Sequence, residues 1–197
     1  MKIGFDLDNT LVDYSDSVKV YVKNFQDCDA KTVPQLRNWF RAQNQDELWT
    51  KAQSWLYSEG LEYAKISDGA LEILIAVAEL SIDFSILSHK TLLGPQRYGR
   101  KEFRKLMNEW LFCSDLWNIC TNKIEYFDSL DEKIEGIRKG NFDFFVDDLR
   151  KVLEHKRFPD RTMPVLYSPE KLNFETGTTS AVIIIDSFTS LMELLTL

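Results

Sequence analysis

The sequence predicts an α/β fold: a parallel sheet flanked by helices, with an all-helical insertion after its first strand. Three observations carry that prediction. Apolar runs of strand length recur along the 197 residues and are separated by segments with helical spacing, the alternation expected of a parallel sheet. One stretch, from Tyr14 to about Lys65, breaks the alternation and holds only amphipathic helical patterns. Several apolar runs stop abruptly at acids or hydroxyls, as strands do where a parallel sheet presents a ligand site at its carboxyl edge.

Taken in order, residues 2–7 form the first strand pattern, and helical spacing follows at 17–25, 33–41 and 45–57 within the insertion. The insertion is rich in aromatics: Trp39, Phe40, Trp49, Trp55, Tyr57 and Tyr63. They read as its own small core and its seam with the sheet, the alternative being that one or two line a substrate pocket. Beyond it, residues 82–87, 117–121, 142–147, 163–167 and 181–185 read as strands, and 68–80, about 96–112, 131–139 and 187–195 as the helices between and after them. The domain expectation is a core of residues 1–13 and 66–197 and a helical cap of residues 14–65.

Composition narrows the class of partner. A net charge of −7 lacks the basic footprint that nucleic-acid binding needs, so the expected partner is a small molecule. The N-terminus runs directly into a strand pattern without a signal-peptide profile, and no apolar run reaches membrane-spanning length; the expectation is a soluble, cytoplasmic protein with no membrane partner. Cys28, Cys113 and Cys120 are odd in number and scattered, which fits free thiols rather than a disulfide framework or a zinc site. With only His89 and His155, a His-rich metal centre or a Ser-His-Asp triad has few candidates.

The chemistry concentrates at strand ends. In Phe5-Asp6-Leu7-Asp8-Asn9-Thr10-Leu11 the side chains of Asp6 and Asp8 project to the same side, and two carboxylates held that close invite a cation such as Mg²⁺ and chemistry on a phosphate. The plainer alternative is a strand ending in a polar turn. Ser88-His89-Lys90-Thr91 follows the second strand run and offers a hydroxyl and main-chain amides suited to phosphate oxygens, or is an ordinary Ser/Thr turn. Asp147-Asp148 ends a nearly all-apolar run, where a hard cation with oxygen ligands is the economical explanation; helix capping by either acid is compatible with that role. A cluster of carboxylates and a phosphate also needs a fixed positive charge. Lys133, near the start of the helix leading into the Asp147 strand, is placed ahead of its rival Lys123.

With these positions together, the chain resembles the haloacid dehalogenase-like (HAD) superfamily. Residues 5–11 match its DxDxT motif, Ser88 its second motif, Lys133 its third, and Val146-Asp147-Asp148 its fourth in the DD form. The resemblance spans the sheet domain and implies a Rossmann-like core with a C1-type cap in the insertion. Residues 86–91 and 127–149 also look like a bacterial subgroup linked to surface-polysaccharide or nucleotide-sugar gene clusters.

The resemblance further implies a Mg²⁺-dependent phosphatase acting on a small phosphomonoester, a sugar phosphate or nucleotide. Asp6 would be the nucleophile that forms an aspartyl-phosphate and Asp8 the proton shuttle. Ser88 and Lys133 would bind the transferred phosphoryl group, with Asn9, Thr10 and His89 on the substrate side. The ion would be held by Asp6, Asp8 through its main-chain carbonyl, Asp147 and, directly or indirectly, Asp148. The interval from Lys133 to Asp147 is short for the family, which keeps Lys123 in consideration. The alternatives are a catalytically idle binding or regulatory protein on the same fold and a nucleotidase-type variant.

Overall fold

The computed structural model describes residues 1–170 and 182–195. In chain order the strands are β1 (Lys2–Phe5), β2 (Val12–Asp13), β3 (Lys65–Ile66), β4 (Asp83–His89), β5 (Ile124–Phe127), β6 (Phe144–Asp147), β7 (Met163–Tyr167) and β8 (Ile183–Ile185). The α-helices are α1 (Ser15–Phe25), α2 (Val33–Ala42), α3 (Asp46–Leu56), α4 (Ala70–Glu79), α5 (Phe103–Phe112), α6 (Trp117–Cys120), α7 (Leu130–Gly140), α8 (Arg150–Leu153) and α9 (Phe188–Leu195). The chain divides into two units, one of Met1–Leu11, Ser67–His89 and Asn118–Leu197, the other of Val12–Ile66 and Lys90–Trp117.

The first unit is built on a six-stranded sheet of order β5-β4-β1-β6-β7-β8, every neighbouring pair parallel. From β1 the chain steps outward through β4 to β5, then returns to the other side of β1 for β6, β7 and β8. β1 therefore lies at the switch point, where the crevice of an open parallel sheet opens at the carboxyl ends. Strand alternation assigns the two faces. On one, Leu87, Phe145 and Leu166 pack with Ile134 and Ile137 of α7 and Val152 and Leu153 of α8. The opposite phase carries Ile3, Phe5, Phe84 and Ile86, paired in register across β1 and β4, and Tyr167, which stacks on Phe188 of α9. Each such side chain, fully buried, contributes roughly 1.5–3 kcal/mol through removal from water. Gly4 matters here because a Cβ on it would lie 2.3 Å from the Phe145 ring, so only glycine lets that ring lie against β1.

The strand expected at 117–121 is not formed: Trp117–Cys120 is a helical turn, α6, and the edge strand is β5 at Ile124–Phe127. An edge strand is covered less completely than a central one, and β5 accommodates an exposed Glu125 in its middle, so it lacks the continuous apolar run that marks β6. Within the run read as the last strand, Ala181 lies outside the described residues and β8 covers Ile183–Ile185.

The second unit is mainly helical. The stretch read as strandless is bracketed by the short antiparallel pair of β2 and β3, with Val12 opposite Ile66 and Asp13 opposite Lys65. Phe40, Leu36, Leu56 and Ala52 are fully buried, and Tyr21, Phe25, Trp55 and Tyr63 form a chain of ring contacts ending in the stacked Trp55–Tyr63 pair. Amphipathic spacing on α1 to α3 accounts for this core. Residues 90–117, including α5, cluster with this unit, where Tyr57 packs edge-on to Phe103 and the Lys90 ammonium sits 3.7 Å from the Tyr57 ring centre.

Candidate active site

The parallel register places the first two acids. Phe5 pairs with Val146, so Asp6 and Asp147, each one residue further on, stand side by side at the carboxyl ends of β1 and β6. The Asp6 amide continues the ladder, donating to the Val146 carbonyl at 2.8 Å. Both carboxylates are buried, and the Lys133 ammonium lies between them, paired to Asp6 and 2.7 Å from Asp147 Oδ2. Asp147 uses its other oxygen to accept the Leu149 amide at 2.8 Å, which fixes the turn that leaves β6.

Lys133 owes its position to the start of α7. Ser129 caps the helix by accepting the Glu132 amide at 3.2 Å, and the Glu132 carboxylate reaches back past the cap to accept the Asp128 amide at 2.9 Å. That arrangement holds the first turn, and with it a lysine only 2% exposed. Burial by itself would lower the lysine's pKa, but Asp147 and Asp6 outweigh it and hold the ammonium above its ordinary value. Asp6 moves the other way: burial raises its carboxyl to about 7, against the lowering influence of Lys133 and with further raising from Asp147 and Asp8.

Beyond β1 the chain turns tightly, with the Leu11 amide donating to the Leu7 carbonyl at 3.0 Å. Asn9 takes the left-handed conformation at φ 62°, which asparagine tolerates better than most residues. The turn brings Asp8 back toward β4, where its carboxylate accepts from the Ser88 hydroxyl at 3.2 Å, and sets the Thr10 hydroxyl 3.5 Å from Asp6 Oδ2. Asp8, Thr10 and Ser88 are buried, and Asn9 and Asp148 are half-buried. His89, the last residue of β4, is exposed; one imidazole N–H donates to the main-chain carbonyl of Asp128. Residue type does not mark Asp128 for this contact, because it is made through the main chain.

The geometry separates the two candidate lysines. Lys123 pairs with Asp83 at 3.1 Å, at the amino end of β4, whereas Lys133 stands at the carboxyl edge. Among the described residues, Asp6, Asp147 and Asp148 can bring carboxylate oxygens within 4.8 Å of one another. Three hard oxygen donors with that convergence fit a Mg²⁺-sized cation and would leave part of its coordination to water or substrate.

No family model matches the chain, and no curated protein matches it by sequence. Solved structures do match its fold. A HAD family hydrolase from Deinococcus radiodurans R1, with bound phosphate and sodium, aligns at a TM-score of 0.61 and 13% identity, covering 98% of this chain and 94% of that one. A predicted phosphatase from Clostridium acetobutylicum aligns at 0.57 and 18%, covering 100% and 98%. Protein Tyrosine Kinase A of Mycobacterium tuberculosis aligns at 0.63 and 14%, covering 100% and 98%. The fold is that of the haloacid dehalogenase-like superfamily.

Proposed function

We propose that this chain is a Mg²⁺-dependent phosphomonoesterase that hydrolyses a small phosphorylated metabolite through an aspartyl-phosphate, with residues 14–65 as its cap. The observation that carries the reading is the pairing of Asp6 and Asp147 around Lys133, with Asp8 and Ser88 hydrogen-bonded beside them. The phosphate bound to the Deinococcus hydrolase of the same fold supports it.

Asp6 attacks phosphorus, and its carboxylate is aimed by the Lys133 ion pair and the Thr10 hydroxyl. Lys133 and Ser88 stabilise the phosphoryl oxygens as charge redistributes in the transition state. Asp8 protonates the departing oxygen and then takes a proton from the attacking water; in the free site the Ser88 hydroxyl holds it in place, and that single donor turns to a phosphoryl oxygen when substrate enters. Asn9 places Asp8 and Thr10 through its left-handed turn and lies on the substrate side. Mg²⁺, held by Asp6, the Asp8 carbonyl, Asp147 and Asp148, would neutralise charge on the phosphoryl group and the clustered carboxylates.

The test is hydrolysis of para-nitrophenyl phosphate with and without Mg²⁺, comparing the native protein with Asp6→Asn. Metal-dependent turnover that the substitution abolishes is expected. Turnover that is absent in the native protein, or undiminished by the substitution, overturns the reading.

A further inference from the structure

We propose that His155 and Arg157 are positioning residues that clamp the first turn of α7 through Asp131 and so set the Lys133 ammonium against the phosphoryl group. The inference rests on the phosphomonoesterase reading and deepens it, naming residues outside the acidic cluster on which the grip on phosphate depends. Lys133 has to stand between Asp6 at the end of β1 and Asp147 at the end of β6, yet it is carried by a helix that follows β5. The bonds at Ser129 and Glu132 tie the start of that helix to the residues just before it, which fixes its local shape and leaves its placement against β6 open. Packing of Ile134 and Ile137 on Val152 and Leu153 brings α7 and α8 together, but apolar burial is non-directional.

The bridge to Asp131 supplies the direction. Asp131 lies in the first turn of α7, two residues before Lys133, and the loop leaving α8 holds one of its oxygens twice. The Arg157 guanidinium pairs with Oδ1, and His155 Nε2 stands 3.5 Å from the same atom. The His155 side chain is only 16% exposed, and each of its polar groups is engaged. Nδ1 accepts the Arg157 amide at 3.3 Å, the main-chain N–H donates to the Val152 carbonyl at 3.2 Å, and the carbonyl accepts the Phe158 amide at 2.7 Å. With Nδ1 accepting, the ring proton is on Nε2, the nitrogen that faces Asp131. Phe158 packs against the same core as Leu130 and Leu149, which anchors the loop from below. The segment from Asp147 to Phe158 is therefore fixed at one end by the Asp147 carboxylate on the Leu149 amide and reaches at the other to the turn that carries Lys133. Arg157 and Asp131 are largely solvated, so the bridge adds little to overall stability and acts on where Lys133 stands.

The experiment compares the native protein with His155→Ala, Arg157→Ala and His155→Gln, the last keeping a donor near the Nε2 position. Hydrolysis of para-nitrophenyl phosphate with Mg²⁺ gives kcat and KM, and calorimetry gives the Kd of inorganic phosphate in the same buffer. In both alanine variants kcat falls and the phosphate Kd rises, each by about fivefold, since small misplacements of a group that meets the reacting atoms are costly. Melting stays within a few degrees of native, and His155→Gln recovers most of both values. A purely structural role would shrink the folded fraction, lowering kcat while leaving the phosphate Kd of the folded molecules unchanged. An unchanged phosphate Kd in both alanine variants, or a His155→Gln no better than His155→Ala, overturns the clamp while the phosphatase reading stands. If the native protein binds phosphate but does not hydrolyse the ester, the phosphatase reading falls and the phosphate Kd alone decides on the clamp. If it does neither, both readings fall.

Discussion

Replacing Lys133 with methionine removes a charge while keeping most of the side chain's volume, and its consequence depends on pH in a direction the structure sets. Lys133 is 2% exposed between Asp6, 5% exposed, and Asp147, fully buried. Removing one partner of such a cluster leaves uncompensated buried charge, a loss of about 3–5 kcal/mol when the remaining groups stay ionised. Asp6 need not stay ionised. Its carboxyl titrates at about 7 in the folded protein against 3.8 ordinarily, which sets on the order of 4 kcal/mol against the charged form.

A raised carboxyl stabilises the fold fully below its unfolded pKa and loses that contribution as pH rises through its folded pKa. Taking Lys133 away removes the influence that lowers Asp6, so the loss in Lys133→Met continues to higher pH than in the native protein. Asp147 loses its partner at either pH, so a gap is present at about pH 6, and it widens by up to about 2 kcal/mol by pH 8.5 as Asp6 ionises in the native protein but not in the variant. Urea denaturation at both pH values, in chelator, measures it. A gap of equal size at the two pH values would overturn this, because it would mean that Lys133 does not act on the ionisation of Asp6.

Three further outcomes follow from the same geometry. Mg²⁺ must displace the proton that Asp6 carries below about pH 7, so calorimetric affinity should rise nearly tenfold per pH unit up to that point and then level off. Gly4→Ala drives a methyl into the Phe145 ring, which chemical denaturation should register as a destabilisation of about 1–3 kcal/mol. Lys123→Ala breaks an exposed pair with Asp83 at the amino end of β4, and kcat/KM for an aryl phosphate should stay within about twofold of native.

Central strands were the legible part of this fold, because β1, β4, β6 and β7 are buried apolar runs that stop at polar residues. The juxtaposition of Asp6 and Asp147 is a matter of register between strands far apart in sequence, and only the topology supplies it. Confusion at the other edge had a local cause. Trp117-Asn118-Ile119-Cys120 is as apolar as a short strand but closes into a helical turn, while the true edge strand hides behind Glu125. That displacement is also what kept Lys123 in consideration behind Lys133, since the choice depends on which end of a strand each lysine approaches. The clustering of residues 90–117 with the helical insertion is non-local and leaves no mark in periodicity.

The central claim is that Asp6 carries the phosphoryl group covalently. Acid quenching during turnover of a phosphate-labelled substrate with Mg²⁺, followed by peptide mapping, tests it most directly. An acid-stable, hydroxylamine-labile label on the peptide containing Asp6, absent in Asp6→Asn, is expected. Label on another residue, such as Ser88, or no label on the Asp6 peptide when a burst of the leaving group shows that a step after its departure and before phosphate is freed limits turnover, would contradict it.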